Sequence, residues 1–195
     1  MTADEVHGSD AVRALEEVAA AVTSVPEPEL DAIADELLAA RRIACYAGGR
    51  EGLVLRGLVM RLFHAGLDVH YVGEMTCPAV GPGDLVVLSC GPGSISTVEA
   101  LAGVAVRDGA RVLLLTAQPR RPPADLAQRV VQVRAQTMAD DLPTGESAGL
   151  ATPVLPMGSA YEIALFVLVD LVTNRVRARR GESPEEMRSR HTNLE

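Results

Sequence analysis

Five short runs of Val, Ile, Leu and Ala punctuate the chain at residues 43–46, 69–72, 85–89, 112–116 and 130–133. Most are apolar at successive rather than alternate positions, which is the pattern of strands covered on both faces. The segments 50–65 and 94–108 between them carry apolar residues at helical spacing and suit crossover helices. That alternation predicts an α/β fold: a doubly wound, five-stranded parallel sheet flanked by helices. Ahead of it, residues 11–22 and 27–40 read as two helices broken by Ser24-Val25-Pro26. A polar loop over 137–156 leads into a long apolar helix over 157–178, and a charged tail ends in RSRHTNLE. The expected organisation is a flexible leader over 1–10 and a single domain over 11–195, as a length of 195 residues suggests.

Composition narrows the function. Hydrophobic residues make up 48% and charged residues 23%, enough apolar surface for a packed core. The chain has 18 basic residues other than histidine and every one is arginine, so Schiff-base and P-loop lysine chemistry are excluded. A net charge of −8 and 3% aromatic residues argue against nucleic-acid binding, which needs basic surface and rings on which bases stack. Partners are therefore expected among small molecules and proteins. Cys45, Cys77 and Cys90 are odd in number and widely spaced, fitting neither a disulfide framework nor a metal site. The amino terminus lacks the features of a signal peptide. The apolar stretch 163–172 is interrupted by Asp170 and is shorter than the roughly 20 residues that span a bilayer. A cytoplasmic protein that does not enter membranes is expected.

In open parallel sheets, ligands bind beyond the carboxyl ends of the strands. Two glycine-rich turns occupy such ends: Ala47-Gly48-Gly49-Arg50-Glu51-Gly52 after the first strand, and Cys90-Gly91-Pro92-Gly93-Ser94-Ile95-Ser96-Thr97 after the third. Each leads into a helix. Glycine admits a ligand close to the backbone, and a helix amino terminus carries partial positive charge, so the pair forms either an anion cradle or two ordinary strand-to-helix turns. The first turn is not GxGxxG and lacks a Walker lysine, so it does not support a dinucleotide or nucleoside triphosphate reading.

Beyond these turns, the string GGREGLVLRGLVMRLFHAGLDVHYVGEMTCPAV, the helix start PMGSAYE and the ending RHTNLE together resemble the sugar isomerase (SIS) domain family, and within it the 6-phospho-3-hexuloisomerases. The resemblance runs from about residue 10 to the end of the chain. It implies homodimers or homotetramers with active sites shared between subunits, a sugar phosphate as the small-molecule substrate, and no metal or organic cofactor. It also implies proton transfer through an enediol, converting 3-hexulose 6-phosphate to fructose 6-phosphate. That chemistry needs one base near neutral pH and a group that polarises oxygen.

Glu162 matches the family's catalytic glutamate. The same residue also reads as a first-turn glutamate favoured by the helix dipole. His64 reads either as a group that polarises or reprotonates a substrate oxygen or as a helix-terminal histidine before Ala65-Gly66. His191 lies in a segment that reads as frayed tail, and the resemblance makes it a catalytic candidate contributed to a neighbouring subunit's site. Arg50 is the best single cation for a phosphate or enediolate. The substrate-binding set is Gly48, Gly49, Arg50, Glu51, Cys90, Gly91, Gly93, Ser94, Ser96 and Thr97. Glu74 and Thr76 follow the second strand and belong either to the site or to an oligomer contact.

The turns depart from the family's hydroxyl-rich pattern. Glu51 stands at a serine position of the first turn, and Cys90, Pro92, Ser94 and Ile95 replace two serines, an acid and a threonine in the second. A carboxylate about 4 Å from a phosphate costs on the order of 4 kcal/mol at an effective dielectric near 20, about a thousandfold in affinity. Either Glu51 turns away and Arg50, Ser94, Ser96 and Thr97 still hold a phosphate, or the substrate is a hydroxy-carbonyl compound without one. Two further readings stand beside these: a non-catalytic sugar sensor or assembly subunit, and a nucleophilic Cys90 at a helix start.

Overall fold

The computed structural model describes residues 9–140 and 153–194. The five apolar runs form strands β1 (Ile43–Ala47), β2 (Val69–Tyr71), β3 (Leu85–Ser89), β4 (Arg111–Thr116) and β5 (Arg129–Gln132). They make one parallel sheet in the order β2-β1-β3-β4-β5. Every residue of the central β3 is buried, as its unbroken apolar run requires.

Helices α1 (Asp10–Thr23), α2 (Glu27–Leu38), α3 (Gly49–His64) and α5 (Ser159–Arg180) cover one face, with a core that includes Leu30, Leu37, Leu55, Leu62, Leu113 and Leu165. Helix α4 (Ser96–Arg107) covers the other with a smaller core of Val86, Leu88, Val98, Ala102, Ala105, Val112 and Leu114. α1 begins where Ser9 accepts the amide of Val12. α5 is clamped to α2 by charge: Arg179 reaches Asp31 at 2.7 Å and Asp35 at 2.9 Å, and Arg175 pairs with Glu27. It stops at Gly181, whose φ of +69° supplies the left-handed cap.

The chain runs from β1 outward to β2 and then returns to the other side of β1 as β3. The strand order therefore reverses between β1 and β3, whose ends lie level, with Ala47 paired to Ser89. α3 leaves β1 towards one face and α4 leaves β3 towards the other, which opens a crevice between the two glycine turns.

Boundaries move by a residue or two from the sequence expectation. α4 starts at Ser96 rather than residue 94, because Ile95 is extended (φ −140°) and the Ser94 hydroxyl bonds Glu99 at 2.6 Å. α5 spans 159–180 rather than 157–178. A short helix, α6 (Pro184–Ser189), occupies part of the expected charged tail, fixed by a capping box between Ser183 and Glu186. Most of the expected leader (1–8) and of the polar loop (141–152) lies outside the described residues.

Candidate active site

The crevice is a cavity of about 660 Å³, within the usual range for small-molecule sites. One wall is the first glycine turn, Gly48 to Glu51, and another is Gly91, Pro92 and Ile95 of the second. The remaining wall is Thr137, Met138 and the entry to α5. That entry is held from a distance: the carboxylate of Glu17 on α1 accepts the amides of Val154 (2.7 Å) and Leu155 (3.0 Å). Met157 (φ +56°) and Gly158 (φ +85°) then turn the chain sharply into the helix. A non-glycine residue in the left-handed region costs about 1–3 kcal/mol, and such strain concentrates at functional sites.

The turn places Ser159 and Glu162 on the cavity wall. The Glu162 carboxylate forms an ion pair with the Arg50 guanidinium, which also donates to Ser159 Oγ at 2.9 Å. Burial pushes the Glu162 carboxyl above the usual carboxylate range, and Arg50 partly offsets the rise. A carboxylate raised towards neutrality beside a fixed cation is an acid–base group with a charge stabiliser attached.

Glu51 borders the cavity but is only 7% exposed, and its carboxylate is bonded within the protein. Its two oxygens accept the Gly91 amide at 3.0 and 3.1 Å, and one accepts the Ser89 hydroxyl at 2.5 Å. Ser89 Oγ in turn lies 3.1 Å from the hydroxyl of fully buried Tyr161. Burial raises the Glu51 carboxyl, the bonds from Ser89 and Gly91 oppose the rise, and the nearby charge of Glu162 adds to it. A Cβ at Gly91 would lie 2.9 Å from a Glu51 oxygen and 3.0 Å from the Tyr161 ring, so a larger residue there would have to displace them. The second turn's amide therefore already holds a carboxylate from the protein itself.

The rest of that turn departs from the sequence expectation. Cys90 lies in the core beneath α4 with its thiol pushed up to about 12, first by burial and then by the charge of Glu51. Fully buried there, it does not line the cavity. Gly93 and the hydroxyls of Ser94, Ser96 and Thr97 lie off the cavity wall, and Ser94 is taken by Glu99. Glu74 and Thr76 are exposed in the loop after β2, with Glu74 3.7 Å from Arg56 and outside the cavity.

His64 and His191 come together, but not here. His64 ends α3, 14 residues beyond Arg50, or about 21 Å along the helix axis. His191 stacks on it with ring centroids 4.7 Å apart and planes at 26°. The terminal segment is thus anchored at the opposite end of α3 from Glu162. Among the described residues no three His, Cys, Asp or Glu side chains group to hold a metal, and no helix is long and apolar enough to cross a membrane.

No protein-family model matches the sequence. Curated relatives do. A 3-hexulose-6-phosphate isomerase from Mycobacterium gastri is 34% identical over 92% of this chain and 87% of its own length. The chain belongs to the 3-hexulose-6-phosphate isomerase family. A second member, from Bacillus subtilis (strain 168), is 30% identical over 88% of this chain and 89% of its own. The fold is shared with a Methanococcus jannaschii protein whose crystal structure infers a 3-hexulose-6-phosphate isomerase function. That match has a TM-score of 0.79 and 23% identity, and it covers 93% of this chain and 98% of that one.

Within this candidate site, sequence reasoning missed Ser159, Ser89 and Tyr161. Ser159 carried a local signal, as the hydroxyl that starts a helix one residue after glycine. Ser89 and Tyr161 carried none, because only the closeness of β3 to the start of α5 makes them partners of Glu51.

Proposed function

We propose that the chain interconverts 3-hexulose 6-phosphate and fructose 6-phosphate, the relatives' named chemistry, with Glu162 as the base. The observation that carries this reading is the Glu162–Arg50 pair on the wall of a cavity of about 660 Å³. Glu162 takes the proton from the hydroxyl-bearing carbon next to the carbonyl, and the electron pair moves onto the carbonyl oxygen to form an enediolate. Arg50 stabilises that oxygen by charge. Glu162 then returns its proton to the former carbonyl carbon while a proton passes between the two oxygens, so the product is an isomer and nothing else is consumed. Burial of Glu162 brings its basicity closer to working pH, and the stacked histidines of a neighbouring copy are suited to the oxygen-to-oxygen transfer.

A neighbouring copy is part of the proposal. Leu53, Met60 and Phe63 on α3 and Ile163, Phe166 and Val167 on α5 are exposed apolar side chains on the two helices that join the cavity to the histidine pair. Such a face suits burial against a second copy in a homodimer or homotetramer. A two-fold axis through it sets one copy's histidines against the other's cavity.

A second reading rests on Glu51. Because its carboxylate fills the Gly91 amide, the same proton transfer on a hydroxy-carbonyl compound without phosphate also fits the chain's own half of the site. Two measurements test the pair. Replacing Glu162 by Gln abolishes isomerisation with the fold preserved, and retained turnover removes Glu162 from the mechanism. Calorimetric titration with fructose 6-phosphate binds in the phosphosugar reading, and no binding at millimolar ligand sinks it. Ligand binding without turnover in the wild-type chain would identify a sensor instead.

A further inference from the structure

A concentration of positive charge lies outside the cavity. A cleft of about 270 Å³ opens where the end of α3, the second half of α5 and α6 meet, lined by Arg61, His64, Asn174, Arg177, Arg188 and His191. Among the described residues, the guanidinium groups of Arg177 and Arg188 have no carboxylate or hydrogen-bond partner. Two of the neighbouring acids are already claimed. Asp170 holds Arg61 at 3.1 Å, and Glu182 holds Arg190 at 2.7 Å and Arg180 at 3.3 Å. Arg190 also donates to the carbonyl of His64 at 2.8 Å, fixing the wall on which the two imidazoles stack.

Two guanidinium groups without a carboxylate partner in one concave site repel each other. An oxyanion between them removes the repulsion, and each planar fork can bind it through two parallel hydrogen bonds. The side-chain amide of Asn174, also on the lining, adds a donor. The cleft has room for a tetrahedral anion.

We propose that this cleft binds a phosphate monoester or inorganic phosphate through Arg177 and Arg188. The proposal goes beyond the isomerase reading, because it assigns an anion site that the Glu162 chemistry does not require. The ligand has two sources. One is free phosphate. The other is the phosphoryl end of a substrate seated in a facing copy, whose own Gly91 amide is filled by Glu51.

Isothermal titration of the full chain tests it, with inorganic phosphate and with fructose 6-phosphate as separate ligands. The wild-type protein is compared with Arg177→Gln/Arg188→Gln and with Arg177→Lys/Arg188→Lys, and circular dichroism verifies the fold of each. The glutamine pair is expected to bind phosphate at least tenfold more weakly, and the lysine pair to fall between, since a point charge keeps attraction without the fork. Equal losses for both ligands show that the cleft reads the substrate's phosphoryl group. A loss confined to inorganic phosphate shows a free-anion site. Unchanged affinity for both ligands in the glutamine pair, or no wild-type binding of either at millimolar concentration, overturns the proposal. Glu162→Gln, run alongside, loses turnover if the isomerase reading holds and still titrates with phosphate at the cleft, so the two ideas fail separately.

Discussion

Replacing Gly52 by Ala tests how the first glycine turn is built. Gly52 lies in the first turn of α3, one residue after Glu51, and alanine there improves helix propensity by about 1 kcal/mol. Packing opposes the change. A Cβ at Gly52 would lie 2.6 Å from the carbonyl oxygen of Ala47 and 2.8 Å from the hydroxyl of Tyr71, well inside the 3.4 Å at which ordinary contact begins. Neither neighbour yields easily. Ala47 belongs to β1, paired on both sides, and buried Tyr71 donates to that same carbonyl at 2.9 Å. Overpacking of this kind costs about 1–3 kcal/mol, and breaking the Tyr71 bond leaves buried polar groups unpaired for about 1–3 kcal/mol more. Set against the propensity gain, the net loss is about 1–5 kcal/mol, and each kcal/mol lowers Tm by roughly 2–4 °C in a domain of this size. The control is Gly103→Ala in α4, where a Cβ meets nothing within 4 Å and the propensity gain of about 1 kcal/mol stands alone. Thermal denaturation should therefore move the two variants in opposite directions. Because the clash pushes on the turn that carries Arg50 and Glu51, Gly52→Ala should also lose isomerase activity below its own Tm. A Tm for Gly52→Ala at or above wild type refutes the reasoning.

Other substitutions probe the carboxylates. Glu51 is raised in the folded state, so its contribution to stability is full below its unfolded value of about 4.3 and is lost as pH rises through the folded value. Glutamine keeps the shape and cannot titrate: its carbonyl accepts the Gly91 amide and its NH₂ donates to Ser89. Urea unfolding at a series of pH values should show Glu51→Gln gaining on wild type as pH rises from about 4; a pH-independent difference rules the burial cost out. Removing the cation beside Glu162 has the opposite emphasis. In Arg50→Gln the carboxyl loses the charge that holds it down, so the acid limb of kcat/KM moves to higher pH and kcat falls; a limb that stays in place or moves down separates Arg50 from the base.

The sheet was readable because its signal is local and repeated. Residues 85–89 are apolar without a break, and only a strand covered on both faces gives that run a place to be buried. The two turns were readable for a related reason, since glycines after a strand and before a helix mark the place where the backbone must bend and where ligands approach. The order of strands was not. Nothing near Ala47 or Ser89 states that the two lie side by side, and that pairing sets the crevice.

Single residues divide in the same way. Glu162 and Arg50 stood out by type and position, and the fold brings them into contact. Glu51 was conspicuous as a carboxylate in a glycine turn, but its direction depended on Ser89, Gly91 and Tyr161, which lie 38, 40 and 110 residues further along the chain. His64 and His191 looked like parts of one site with Glu162. The rise of a straight 16-residue helix separates them within a chain and leaves them beside Arg177 and Arg188. Element type and site chemistry thus follow from side-chain periodicity and residue identity, which are properties of short stretches. Which carboxylate faces the ligand, which amide is already filled and which arginines stay free follow from contacts between distant stretches, and those exist only once the core has closed.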